Sequence, residues 1–152
     1  PVIAANAAGP LMQPALVHPC LVGTARTFVT GDVCNHLGTY LKALAADAHK
    51  VPFYVAAPSS SIEWHGLREG IEIPIEQRGP EELHTVVSLN SEAEPIASFL
   101  CDNSEASYPT LYRNDAFDVT PSALVSGLIT ERGLCRASEN ALLELFPEHR
   151  RE

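Results

Sequence analysis

The chain is poor in positive charge: 10 lysines and arginines stand against 19 aspartates and glutamates, a formal net charge of −9. A nucleic-acid footprint needs a basic patch, and the basic residues here are scattered singles apart from Arg150-Arg151 at the tail. Long apolar runs are missing too, and none approaches the ~20 residues that cross a bilayer. The first residues lack the charged-then-apolar layout of a secretory signal. The four cysteines, at 20, 34, 101 and 135, form no C-x-x-C pair, and the two near histidines, His18 beside Cys20 and His36 beside Cys34, make no zinc-ligand motif. That spacing argues against structural zinc and fits a reduced cytoplasmic chain. There is no G-x-G-x-x-G, no phosphate loop ending in Gly-Lys-Ser/Thr, and no Ser-His-Asp order. Twelve prolines and nine glycines punctuate the chain without a repeat or a low-complexity run. What is left is a globular composition, 45% hydrophobic and 19% charged, over 152 residues. Such a length suits one domain with a sizeable core.

The most informative stretch runs from Val22 to Asp47, VGTARTFVTGDVCNHLGTYLKALAAD. Cys20-Leu21-Val22 ends at Gly23 and reads as a buried strand followed by a polar loop. Asp32, after Gly31, has the residue type that caps a helix, and Val33, Leu37, Tyr40, Leu41 and Leu44 recur at helical spacing. The pattern predicts a helix from Asp32 to about His49 that buries this apolar stripe. Asn35 and His36 would then lie on its first turn, beside free N–H groups that suit an anion. A loop leaving the carboxyl end of a strand is also where ligands dock in α/β sheets. An ordinary strand-loop-helix unit that binds nothing accounts for the same pattern.

Along the rest of the chain, Val2 to Ala5 reads as a strand that begins abruptly, and Ala7 to Gln13 as a short helix. Val17 to Val22 is a second strand interrupted by Pro19, and Val51 to Ala57 (VPFYVAA) a third, apolar enough for burial on both faces. This alternation predicts βαβ units: an α/β fold with a Rossmann-like parallel sheet flanked by helices, in a single domain. Pro58 to Ser61 is a loop, Gly70 to Ile75 an edge strand because of Pro74, and Pro80 to Leu83 a short helix. Ser88 to Asn114 shows no clear period, with a weak strand at Ile96 to Cys101 or mobile chain as the two readings. Thr120 followed by Pro121 predicts a helix start, with Leu124, Val125, Leu128 and Ile129 on its apolar face and Gly133 as its stop. Ser138 caps a last helix that carries Leu142, Leu143, Leu145 and Phe146 and ends at Pro147.

Each candidate site residue has two readings. Asp32 either bonds a sugar hydroxyl or caps a helix. His36 is a proton carrier or cation, or else a partly exposed helix histidine. Cys34 near a helix start has a lowered pKa, or is a small packing residue. Asp118 reaches a ligand, or forms an Asx-turn. The serines at 59 to 61 bond a ligand, or make a turn.

Five segments in order resemble the C-terminal half of methylthioribose-1-phosphate isomerases, a family related to the regulatory subunits of translation initiation factor two-B. They are Ile3 to Met12, Gly23 to Ala46, Val51 to Ser61, Ile73 to Glu82 and Ala116 to Gly133. The resemblance implies a Rossmann-like domain over residues 1–152, a homodimer formed largely by this half, and neither metal nor other cofactor. It implies a sugar phosphate as ligand and a place in methionine salvage, where an aldose 1-phosphate becomes a 1-phosphoketose. In the family an acid opens the ring and hydrogen then moves between C2 and C1, with a cysteine and an aspartate in a poorly solvated pocket. Desolvation raises such a carboxyl's pKa and keeps it protonated for acid work.

The departures from the family pattern carry as much weight as the matches. The family aspartate belongs to Gly-x-Asp-Arg, which here reads Gly23-Thr24-Ala25-Arg26, so Ala25 holds the place of the acid. The family Asn-Lys pair is Asn35-His36 here. Ala5 stands where aspartate is usual, and Asp115 where proline is usual. The family cysteine and its arginine phosphate clamp belong to an N-terminal half that this chain lacks. No catalytic group is therefore expected intact. Asn35 and His36 are the expected substrate contacts, with Gly23, Arg26 and Asp32 around the pocket. The abrupt start at Pro1 reads as truncation, and Ala25 and His36 read as divergence. The function expected is an isomerase-family domain, catalytically impaired alone; the alternative is a sugar-phosphate or nucleotide sensor, or a dimerisation module.

Overall fold

The computed structural model describes residues 2–14, 16–64, 75–99 and 111–150. They divide into two compact units, residues 1–74 with 117–152 and residues 75–116.

In the larger unit the chain opens with a 3-10 turn, Ala5–Ala7, that runs into α1, Ala8–Met12. The strand expected at Val2 to Ala5 is absent there. Four small residues among the first eight, all alanine, offer a strand too little side chain to pack. A cis His18-Pro19 bond precedes β1, Cys20–Gly23. Next come β2, Arg26–Phe28, and β3, Val33–His36, joined by a tight turn in which Gly31 donates to the Phe28 carbonyl. Gly31 has a φ of +93°, and a Cβ there would strike the backbone of Ala137 and Ser138. Only glycine fits that crossing.

The helix predicted from Asp32 starts seven residues later. Residues 33–36 are strand, and α2 is Thr39–Ala48, entered through Gly38 at a φ of +99°. Its burial is the inverse of the predicted one. Thr39, Ala43 and Ala46 face inward, while Leu37 just before it and Leu41 within it are 60% and 65% exposed. Small residues let the helix lie close on the sheet; the larger stripe is left outside. After α2 the chain forms β4, Phe53–Ala56, a 3-10 turn at Ser59–Ser61, and β5, Ile62–Glu63.

The smaller unit holds α3, Glu81–His84, and a hairpin of β6, Thr85–Leu89, with β7, Pro95–Phe99. The weak strand expected from Ile96 is therefore present and starts one residue earlier, and residues 88–99 belong to a paired hairpin; the part of the expected stretch at 100–110 lies outside the described residues. A bridge between Gln77 and Asp115 closes this unit, and Arg113 holds the Asp115 carboxylate at 2.9 Å. Those partners keep that carboxyl below its ordinary pKa, the Gln77 amide contributing most. The edge strand expected at Gly70 to Ile75 lies outside the described residues except for Ile75.

Back in the larger unit, β8 is Phe117–Thr120, followed by a 3-10 turn at Ser122–Leu124, β9 at Gly127–Thr130 and β10 at Gly133–Cys135. Thr120-Pro121 thus starts a single turn and not the predicted helix. The apolar run that follows is claimed by pairing with β4. Ser138 does cap α4, Glu139–Leu145, accepting from the Ala141 N–H.

One sheet has the order β1-β4-β9-β10, parallel except for β10; the other is β5-β2-β3-β8. The second sheet combines a parallel pair with two antiparallel pairs, so antiparallel strands accompany the expected parallel ones. The α/β architecture with flanking helices holds. Phe53, Val55, Leu128, Leu142 and Phe146, with Ala43 and Ala46 of α2, form the core. Each large side chain fully buried here is worth roughly 1.5–3 kcal/mol of transfer free energy.

Candidate functional site

The residues around Ala25 converge where β1 ends and β2 meets β3. Ala25 is exposed, and its N–H donates to the Cys34 carbonyl at 3.1 Å. Arg26 is also registered opposite Cys34, so two residues face one and the strand bulges there. Thr24 fastens the bulge, its hydroxyl donating to the Arg26 carbonyl at 2.7 Å and bonding the Thr27 hydroxyl at 3.3 Å. Gly23 ends β1 with nothing within 4 Å of a built Cβ. Arg26 pairs with Glu63 at 3.5 Å, both well exposed.

Cys34 is buried beneath the bulge. Burial pushes its thiol pKa up and outweighs the pull of the Arg26 charge, while the Asp118 charge adds to the rise. It is a neutral packing thiol. A lowered pKa needed a helix start at Asp32, and the strand there removes that cause.

Asn35 and His36 leave β3 toward α2 and face β8, Asn35 opposite Asp118 and His36 opposite Phe117. The His36 ring stacks on Phe117 with centroids 5.2 Å apart. Asn35 donates to the Thr39 hydroxyl at 3.1 Å, which in turn donates to the His36 carbonyl at 2.8 Å. The amino end of α2 is not a vacant anion site. The Asp118 carboxylate accepts from the Gly38 N–H at 2.6 Å and the Tyr40 N–H at 3.1 Å. A carboxylate from another strand thus caps the helix and meets the positive end of its dipole.

Asp32 stands apart from this group. Its carboxylate accepts from the Ser122 N–H at 2.7 Å and the Thr30 hydroxyl at 3.0 Å, tying two loops. It lies three residues up β3 from Asn35, about 10 Å along a strand. The structure therefore brings Gly23, Ala25, Arg26, Asn35 and His36 to one end of the strands and leaves Asp32 at the other. The residue whose role sequence reading missed is Asp118. Its only signal was the Gly38-Thr39 pair, which resembles a helix start as strongly as Gly31-Asp32 does. A groove of about 580 Å³ elsewhere, lined by Leu134, Cys135, Ser138, Ala141 and Glu144, lies between β10 and α4.

Chemically the cluster offers an imidazole, an amide and a guanidinium. These can hold hydroxyl or phosphate oxygens, but no carboxyl acid stands at position 25. Fold and cluster together define a Rossmann-like α/β protein with a polar site at the carboxyl ends of its strands. The chain belongs to the initiation factor 2 subunit family, whose model matches residues 1–137. It is 51% identical over 148 residues to a methylthioribose-1-phosphate isomerase of Desulfatibacillum aliphaticivorans, covering 97% of this chain and 38% of that protein. The chain therefore spans well under half the length of the curated relative it matches. Among solved structures it is similar to 5-methylthioribose 1-phosphate isomerase from Pyrococcus horikoshii OT3. That match has a TM-score of 0.74 and 37% identity over 96% of this chain and 37% of the other. It is also similar to the delta subunit of translation initiation factor eIF-2B from A. fulgidus. There the TM-score is 0.73 and the identity 29%, over 95% of this chain and 38% of that one.

Proposed function

We propose that this chain is the sugar-phosphate-binding domain of an isomerase of the 5-methylthioribose 1-phosphate type, in methionine salvage, and that it is catalytically impaired alone. One observation carries the reading: the bulge that presents position 25 is built, with Asn35 and His36 beside it, while the side chain presented is a methyl group. Asn35, His36 and Arg26 would hold the sugar phosphate; Ala25 cannot donate the proton that opens its ring. An essential acid is worth about two to four orders of magnitude in rate. The exposed stripe of Leu37, just before α2, with Tyr40, Leu41 and Leu44 on it, supports a homodimer through that helix, and the cysteine usage a cytoplasmic setting.

A second reading rests on the likeness to the initiation-factor subunit: a non-catalytic sensor of sugar phosphates or nucleotides. Two measurements on the purified chain separate these readings from failure. Coupled turnover of 5-methylthioribose 1-phosphate is expected at background, and an enzyme-like rate would overturn the impairment. A thermal-shift series with this sugar phosphate and with nucleoside monophosphates is expected to raise the melting temperature for the former. A rise with nucleotides alone favours the sensor, and a flat series ends both readings.

A further inference from the structure

The loop after β4 borders the candidate site at both of its ends. It leaves β4 at Ala56, which lies beside Gly23 of β1 in register. It ends in β5, whose Ile62 and Glu63 lie beside Thr27 and Phe28 of β2, and Glu63 also holds Arg26 at 3.5 Å. Residues 57–63 therefore run from one flank of the pocket, Gly23, to the other, Arg26. Little inside the loop fixes its course. The turn Ser59–Ser61 closes on the Pro58 carbonyl, and β5 is two residues long. A segment with so few bonds of its own takes its position from what grips its ends, and the Arg26–Glu63 pair, single and exposed, is too weak to do so alone.

Both grips come from the last part of the chain. At the start of the loop, the Ser59 N–H donates to the Glu131 carboxylate at 2.9 Å. The bonds from Ser59, its side chain contributing most, keep that carboxyl below its ordinary pKa, so the contact is charge-assisted. At the end of the loop, Trp64 lies against the C-terminal 3-10 turn, Pro147–His149. Its indole is parallel to the His149 ring within 3°, with centroids 4.0 Å apart, and tilts against the buried Phe146 ring at 5.3 Å. That turn is in its own right tied to the neighbour of Glu131: Arg132 pairs with Glu148 at 2.6 Å and donates to the Leu145 carbonyl at 3.2 Å. Glu131 and Arg132 link β9 to β10. One turn thus anchors the start of the loop directly and its end through the C-terminal turn.

We propose that Glu131 and His149 are positioning residues of the sugar-phosphate site: they clasp residues 57–63 at both ends, so that this loop, and Arg26 through Glu63, meet the ligand already in place. The proposal rests on the reading of a sugar-phosphate-binding domain and deepens it by naming what holds the loop of that site. Both residues act through the loop. Preorganisation of this kind raises affinity by removing an ordering cost from the binding step. Coupling between two places in a protein is reciprocal, so a ligand that meets the loop is also felt at Trp64, the one tryptophan of the chain.

The test titrates the purified chain with 5-methylthioribose 1-phosphate, reading affinity by calorimetry and the clasp by Trp64 fluorescence. The ligand is expected to change the emission of the unsubstituted chain saturably. His149→Ala and Glu131→Ala should each weaken binding about three- to tenfold, the scale set by ordering a side chain or two. His149→Phe, which keeps an aromatic ring on Trp64, should restore the affinity. If His149→Ala fails to fold, Glu131→Ala and the Trp64 response of the unsubstituted chain decide. Unchanged affinity in the alanine variants overturns the proposal, as does a loss that His149→Phe does not restore, or Trp64 emission indifferent to the ligand. Absence of binding by the unsubstituted chain is a different failure: it ends the functional reading, and the proposal with it.

Discussion

Ala25, Cys34 and Asp118 sit within a few residues of register from one another, and each contributes by a different physical route. On the proposed reading Ala25 removes an acid without removing the bulge, because its backbone N–H makes the bond to the Cys34 carbonyl that fixes the loop. Cys34 is held neutral by burial. Iodoacetamide at pH 7.5 should therefore label it much more slowly in the folded chain than in 6 M guanidinium, as read by peptide mass; equal rates would contradict its buried state. Asp118 replaces a local cap with one reached across 78 residues. Asp118→Ala should cost about 0.5–2 kcal/mol, the range for a lost cap, with Asp118→Asn losing less. Urea unfolding checks both. Gly31→Ala should cost more than a surface substitution, since the new methyl group strikes backbone and no flexible side chain can yield.

At the scale of elements, signals that act locally were legible in the sequence. The VPFYVAA run became β4 and Ser138 capped α4, because neither needed information from elsewhere. The start of α2 was not legible. Gly31-Asp32 and Gly38-Thr39 both resemble helix starts, and what decides is the pairing of residues 33–36 with β8. The α2 stripe misled for a related reason: Thr39, Ala43 and Ala46 suit a close approach to the sheet, and spacing alone cannot say which stripe turns inward. Residues 127–130 are a short apolar run of the kind that periodicity cannot sort. For the candidate site, Ala25, Asn35 and His36 were named from the resemblance alone, whereas the cap from Asp118 needed the three-dimensional register.

The C-terminal 3-10 turn, Pro147–His149, yields a prediction at the same scale. Arg132 pairs with Glu148 at 2.6 Å and lies over the Phe146 ring at 4.3 Å, while His149 stacks on Trp64 at 4.0 Å. The hydrogen bond from Arg132 holds the Glu148 carboxyl below its ordinary pKa of 4.5. A folded-state pKa below the unfolded one gives stability that is present above pH ~4.5 and lost as pH falls through the depressed value. Thermal melts from pH 7 to 3 should show a shallower acid decline for Glu148→Gln than for the unsubstituted chain. The Glu148 carboxylate and its Arg132 partner are solvent-exposed, so the difference should be small and should shrink at 1 M salt.

The whole molecule combines an inherited α/β scaffold with a position, Ala25, proposed to have lost a catalytic acid. The first feature accounts for family membership over residues 1–137, and the second for the proposed impairment. The most direct test is turnover of 5-methylthioribose 1-phosphate by the chain co-expressed with the unmatched part of the Desulfatibacillum relative, with alanine or aspartate at position 25. The account predicts that Ala25→Asp raises kcat by about two to four orders of magnitude. Equal kcat for the two forms, at an enzyme-like rate, would contradict it.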